Sequence, residues 1–84
     1  MKSKLHINEY GENRFWENKE GHTHRVGGPA IEETNGTRYW YVDGYLHRLD
    51  GPAVEYVDGD REYWIGGGEY TEEEFNLIQK GKHE

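Results

Sequence analysis

HRVGGPA occupies positions 24–30 and HRLDGPA positions 47–53, so the chain spells nearly the same seven letters twice at a spacing of 23. Self-similarity at such a period marks one supersecondary unit used several times, each copy burying its apolar face on its neighbours. At an offset of 24, Ile7 falls on Ile31, Glu9 on Glu33, Arg14 on Arg38, Phe15 on Tyr39 and Trp16 on Trp40. At an offset of 23 from His24, the match runs through Glu32 on Glu55 and Gly36 on Gly59; one further residue then enters before Tyr39-Trp40 meets Tyr63-Trp64. The unit is HRxxGPA(I/V)E, a glycine turn, an aromatic-Trp pair and a second glycine. It recurs over residues of about 5–23, 24–46 and 47–70, and the first copy lacks its head.

Each unit reads as a β-hairpin. Asn35-Gly36 is a strong two-residue hairpin signal, because a type I′ turn needs positive φ at both positions. That turn predicts Thr34 opposite Thr37, Glu33 opposite Arg38, Glu32 opposite Tyr39 and Ile31 opposite Trp40. One face then carries Ile31, Glu33, Arg38, Trp40 and Val42, and the other Ala30, Glu32, Tyr39 and Tyr41. In the first unit a turn at Gly11-Glu12 predicts Ile7 opposite Trp16 and Glu9 opposite Arg14. In the third, the extra residue predicts a three-residue loop at Asp58-Gly59-Asp60 that keeps Val54 opposite Trp64. Asp43-Gly44 marks the turn between units, and Gly66-Gly67-Gly68 a looser one. Thr71 with Glu74 three residues on is a capping box. A short helix over 71–80, greasy at Phe75, Leu77 and Ile78, is expected to cover the end of the sheet, as terminal repeats need. The predicted fold is mainly β: one domain over 1–84, five or six strands in an antiparallel meander of hairpins, with a C-terminal helix cap.

Composition limits what such a meander can bury. A chain of 84 residues buries only ~60–65% of its unfolded surface. Of the 32% that is hydrophobic, nearly half is aromatic, so ring packing is expected to carry the core. With no Cys, there is neither a disulfide framework nor a thiolate metal site. That absence, with no apolar signal region or membrane-length run, points to a cytoplasmic protein. Seventeen acidic against ten basic residues leave a net charge of -7. Such a surface repels phosphate backbones and anionic membranes and attracts a basic partner.

A period of 23–24 with a Gly turn, an aromatic-Trp pair, a following Gly and a HRxDGPA head resembles the MORN repeat, in the divergent form found in phage, viral and bacterial proteins. The similarity spans roughly residues 5–70, and HRLDGPA at 47–53 is its most specific string; in the second unit Gly27 stands where Asp50 stands in the third. The resemblance implies a single-layer twisted sheet of successive hairpins, and a scaffold or protein-binding role. If phage-encoded, the chain would act in the host cytoplasm.

His22, His24 and His47 invite a zinc reading with Asp50. However, His24 and His47 fall one repeat apart and read first as structural positions, so no metal and no cofactor are expected. Arg48 and Asp50 are spaced to bridge the corner that Gly51-Pro52 completes. Pro52, which cannot donate to a ladder, suits the first residue of an incoming strand. The chain has no nucleophile elbow or phosphate loop, and no enzyme is expected. Tyrosines at Tyr39, Tyr41, Tyr45 and Tyr63, with Tyr70, suit a protein interface. The helix-start acids Glu72, Glu73 and Glu74, with Glu9, Glu12, Glu17, Glu20, Glu32, Glu33, Glu55, Asp58, Asp60, Glu62 and Glu69, add an acidic surface that mimics nucleic-acid phosphates if they cluster. The predicted partner-binding set is Tyr39, Tyr41, Tyr45, Tyr63, Glu32, Glu55, Glu72, Glu73 and Glu74. The expected function is a non-enzymatic protein-binding module, in its specific form a small acidic phage-type inhibitor, anti-CRISPR or other anti-defence protein, that blocks a basic, nucleic-acid-binding protein surface. The alternative is a structural module, a monomer or homo-oligomer self-associating through sheet edges.

Overall fold

Short strands joined by glycine turns order the chain. The computed structural model describes residues 4–7 and 13–81. They form β1 (Lys4–Ile7), β2 (Arg14–Glu17), β3 (Ile31–Glu32), β4 (Arg38–Tyr39), β5 (Tyr41–Val42), β6 (Tyr45–Leu46), β7 (Val54–Glu55), β8 (Arg61–Ile65), β9 (Gly68–Tyr70) and one helix, α1 (Glu72–Gly81). Seven strands make one antiparallel sheet in the order β1-β2-β3-β4-β7-β8-β9, and β5 with β6 forms a separate two-stranded hairpin. The architecture is the expected meander of hairpins with a C-terminal helix. It has nine strands rather than five or six, because the turns between units carry short strands of their own.

The turns differ from the sequence reading in a way that resets every register. Asn35-Gly36 does not form a type I′ turn: Gly36 has φ +99°, while Asn35 stays out of the left-handed region. The loop is Thr34-Asn35-Gly36, closed by the Glu33 N–H on the Thr37 carbonyl at 2.9 Å. Asn35 Oδ1 accepts the Thr37 N–H at 2.9 Å, an Asx turn that stabilises this longer loop. Ile31 therefore faces Tyr39 and not Trp40, and Glu32 faces Arg38. The third unit repeats the same loop at Val57-Asp58-Gly59, with Tyr56 N–H on the Asp60 carbonyl at 2.9 Å and Asp58 Oδ1 accepting from Asp60 N–H. Val54 faces Glu62 rather than Trp64, and the turn takes no inserted residue. In the first unit Leu5 faces Trp16 and Ile7 faces Arg14; Glu9 and the expected Gly11-Glu12 turn lie outside the described residues. The type I′ geometry occurs at Asp43-Gly44, with φ +51° and +86°, and at Gly66-Gly67, with φ +57° and +86°. Gly66-Gly67 is thus a tight turn, with Ile65 opposite Gly68.

These registers sort side chains into two faces, since directly paired residues share a side of the sheet. One row runs Phe15, Ile31, Tyr39, Val54, Glu62. The adjacent row, on the other face, runs Arg14, Glu32, Arg38, Glu55, Arg61, so opposite charges alternate across five strands, an arrangement that stabilises cross-strand pairs.

The repeated head is a set of contacts used twice. His24 Nδ1 accepts the Asp43 N–H at 3.0 Å and His47 Nδ1 the Gly66 N–H at 2.9 Å, so each histidine holds the type I′ turn of its own unit with its unprotonated nitrogen. Arg25 lies 3.9 Å over the Trp16 ring and Arg48 3.9 Å over Trp40, each clamping the previous unit. Their Nη1 atoms donate to the Pro29 carbonyl at 3.1 Å and the Pro52 carbonyl at 3.0 Å. A Cβ at Gly51 would stand 2.9 Å from Arg48 Cζ, and one at Gly28 3.2 Å from Arg25 Cζ; a side chain at either position would have to displace the guanidinium. Ala30 and Ala53, which end the heads, are completely buried.

Hydrogen bonds also show which aromatics correspond. Ala30 N–H bonds the Tyr39 carbonyl and Ala53 N–H the Glu62 carbonyl; Arg25 N–H bonds Tyr41 and Arg48 N–H bonds Trp64. Tyr63, not Trp64, therefore occupies the place of Trp40, and Trp64 that of Tyr41. Where Trp40 lies under an arginine, Tyr63 lies under Phe75 of α1, ring centroids 4.7 Å apart. The helix starts with the predicted capping box: Glu74 N–H donates to Thr71 Oγ1 at 3.0 Å and Thr71 N–H to Glu74 Oε1 at 2.8 Å. The buried apolar set among the described residues is small, namely Ala30, Ala53, Val54, Tyr63 and Phe75. The three tryptophans are half-buried.

Candidate functional site

The predicted binding residues do not converge on one surface. Glu32 and Glu55 belong to the charge ladder, with Arg25 Nη1 3.9 Å from Glu32 and with Arg48 at 3.2 Å and Arg38 at 4.0 Å from Glu55. Their charges are already answered, which removes them from a free acidic surface. Tyr63 is a correction: it is 8% exposed, a core ring under Phe75 rather than the exposed tyrosine expected from the sequence. Burial first and the Glu72 carboxylate second push its phenol above the usual tyrosine range. Tyr45 is well exposed on β6 and lies against Gly67. Tyr39 and Tyr41 are half-buried on their strands.

Around Tyr39 the structure assembles a band that sequence reasoning missed. Tyr39 Oη donates to Glu33 Oε1 at 3.4 Å, Tyr56 Oη to Glu62 Oε2 at 2.8 Å and Trp64 Nε1 to Glu62 Oε1 at 2.9 Å. Glu33, Tyr39, Tyr56 and Glu62 share one sheet face, because Glu33 and Tyr56 sit two residues from Ile31 and Val54. The Glu62 hydrogen bond pushes the Tyr56 phenol up to about 12; burial and then Glu33 raise that of Tyr39. Only the register, not residue type, indicates that Glu62 rather than Trp64 lies in the Tyr39 row.

The band runs through Glu62 into a concavity of about 530 Å³ at the end of the sheet, lined by Gly59–Tyr63 on one wall and by Glu69, Tyr70, Thr71, Glu72 and Glu74 on the other. Five acidic residues, Asp60, Glu62, Glu69, Glu72 and Glu74, line this groove beside one cation, Arg61. Residues 58–74 as a whole carry Asp58, Asp60, Glu62, Glu69, Glu72, Glu73 and Glu74 against Arg61 alone, so most of the excess negative charge sits here. Of the predicted set, Glu72 and Glu74 line the groove with Tyr63 at its floor, and Glu73 is exposed on the same helical turn. Asp60, Glu62 and Glu69 belong to the wider acidic set that the sequence offered for such a surface, and the structure places them in one lining with the helix-start acids. A second concavity, about 430 Å³, lies between the two heads; several of its lining residues, Arg25, Gly28, Pro29, Trp40 and Arg48, are those that build the arginine clamps.

No group of three or more His, Asp or Glu side chains among the described residues is arranged to hold a metal. No helix among them is long and apolar enough to cross a membrane. No protein-family model, curated protein or solved structure matches the chain.

Proposed function

We propose that this protein is a non-enzymatic binding module whose acidic groove captures a basic surface of a partner protein. The observation that carries the reading is the uneven distribution of acid. Carboxylates of the repeat heads are neutralised by arginines, whereas those around Glu62, Glu69 and Glu72 face a groove with one cation. Charges left uncompensated in a concave site concentrate the local field and steer a partner of opposite sign. A surface that holds nucleic acid is the commonest large basic surface, and a compact acidic module competes for it in the manner of a phage-type inhibitor, anti-CRISPR or other anti-defence protein. The MORN-like repeat supplies the rigid frame.

The test is capture of partners from a lysate by the native chain and by an Asp60→Lys, Glu69→Lys, Glu72→Lys variant, whose three side chains take no part in the Thr71–Glu74 capping box or in the arginine–glutamate pairs of the ladder. The captured proteins should be basic, should release as salt rises, and should be displaced by duplex DNA, with capture lost in the variant. Capture that survives both charge reversal and high salt would defeat the reading. Salt-resistant oligomers of the chain alone would instead favour self-association through the edge strands β1 and β9.

A further inference from the structure

The second and third units differ in what lies beside their outer strand. In the second unit the outer edge of β4 is covered along its whole length, Arg38 pairing with Glu55 and Tyr39 with Val54 of β7. In the third, β9 pairs with β8 only over Tyr63, Trp64 and Ile65. Arg61 and Glu62, the counterparts of Arg38 and Tyr39, have no strand beside them on that side among the described residues. The alternation of the ladder fixes where their backbone groups point. Tyr56 N–H bonds the Asp60 carbonyl and Ala53 N–H the Glu62 carbonyl. Arg61 thus falls between bonded positions, and its N–H and C=O turn away from β7, toward the groove. The Trp40 N–H, which bonds the Ala53 carbonyl, shows the same orientation in the second unit, where β7 receives it.

From this we propose that the open edge of β8 at Arg61-Glu62 is a strand-addition site, which takes an extended basic segment of a partner protein as a further strand. The inference rests on the acidic-groove reading above and gives it a binding mode. The edge supplies the main-chain donor and acceptor of Arg61, the kind of contact that gives affinity in β-augmentation, and alternate side chains supply selectivity. Asp60 and Glu62 on one side of the strand and Glu69 across the groove select lysine or arginine at every second residue of the incoming segment. The site lies where the repeat itself places a strand in the preceding unit, so the occupant adopts a conformation that the fold already uses.

The experiment is amide hydrogen exchange by NMR on the intact chain, with and without a short synthetic peptide of alternating lysine and valine. Strand addition is expected to slow exchange of the Arg61 N–H by about tenfold or more, while the Glu55 N–H, already directed at β4, is unchanged. A matching peptide of alternating glutamate and valine should leave Arg61 as it was. If the lysine peptide shifts resonances of Glu69 and Glu72 but Arg61 exchange is unaltered, strand addition is overturned and the acidic-surface reading stands. If the peptide does not bind even at low salt, both fail. Protection of Arg61 that grows with protein concentration in the absence of peptide would make a second copy the occupant and overturn the proposal.

Discussion

Trp40 and Tyr63 hold the same place in successive units, yet one lies under a guanidinium and the other under a phenyl ring. The difference traces to the segment that the chain makes after each ring. After Trp40 comes a head, and its Arg48 stacks on the indole while also reaching the Pro52 carbonyl and Glu55. After Tyr63 there is no further head; Thr71 caps a helix instead, and the helix supplies Phe75. A phenyl ring caps an aromatic as well as an arginine does, but it brings no charge. The step that ends the array therefore sets the acidic first turn of α1, Glu72, Glu73 and Glu74, where the preceding unit is followed by an arginine-bearing head. The acidic groove and the end of the repeat share one cause.

Replacing Phe75 by Ala should break the comparison most severely. It is 4% exposed and is the helix's buried anchor on the sheet, so a loss of about 3 kcal/mol is expected. Thermal unfolding reads this as a drop of more than about 12 °C for a chain of this size. A drop under a few degrees would mean that α1 does not cap the third unit. Gly51→Ala comes next, because the added Cβ collides with Arg48 and unseats both its stacking and its hydrogen bonds. About 2 kcal/mol is expected from a lost cation–π contact and one or two charged hydrogen bonds, with a smaller loss for Gly28→Ala, where the approach is looser. Equal effects at the two sites would show that the closeness of the guanidinium does not set the cost.

The tyrosine band is tested by alkaline titration. With its folded pKa raised from 10.0 to about 12, Tyr56 contributes stability that is present below pH 10 and is lost as pH rises through about 12. Phenolate absorbance should show Tyr56 ionising late, along with Tyr39 and Tyr63, whose phenols are also raised, and Glu62→Gln should bring Tyr56 back toward the ordinary range. The smallest effect belongs to Asp50. Arg48 Nε donates to it at 2.9 Å, and this bond holds its carboxyl below the ordinary range, so its contribution is present above pH 3.8 and fades as pH falls further. Yet its side chain is 86% exposed, and Gly27 occupies the equivalent position in the second head. Asp50→Gly should cost under about 0.5 kcal/mol; a larger loss would show that the two heads are not equivalent clamps.

The one-residue error in register explains what was legible and what was not. A slip of one residue moves every side chain to the opposite face, which ordinarily exposes a wrong pattern by burying polar groups. Here Tyr39-Trp40 and Tyr63-Trp64 present a ring to either face, so both registers look equally apolar from the sequence. The Asn35-Gly36 signal favoured the wrong one because Asn35 uses its carboxamide to hold Thr37 N–H and stays at negative φ. The fold survives because hairpin pairing depends on where the chain bends, not on which aromatic lies opposite Ile31. The groove was out of reach for a different reason: Glu62 and Glu69 meet Glu72 and Glu74 only because β8, β9 and α1 converge.

The sequence by itself determined the repeat, the hairpin meander, the capping box of the closing helix and the structural nature of the HRxxGPA heads. Those come from local rules: glycine where φ must be positive, proline where a strand enters, and a period shared by residues in contact with their neighbours. Only the tertiary structure decided which face each ring takes, which carboxylates find an arginine and which edge is left open. Those depend on a registry between strands and on the distance between segments, and no local preference in this chain distinguishes one choice from the next.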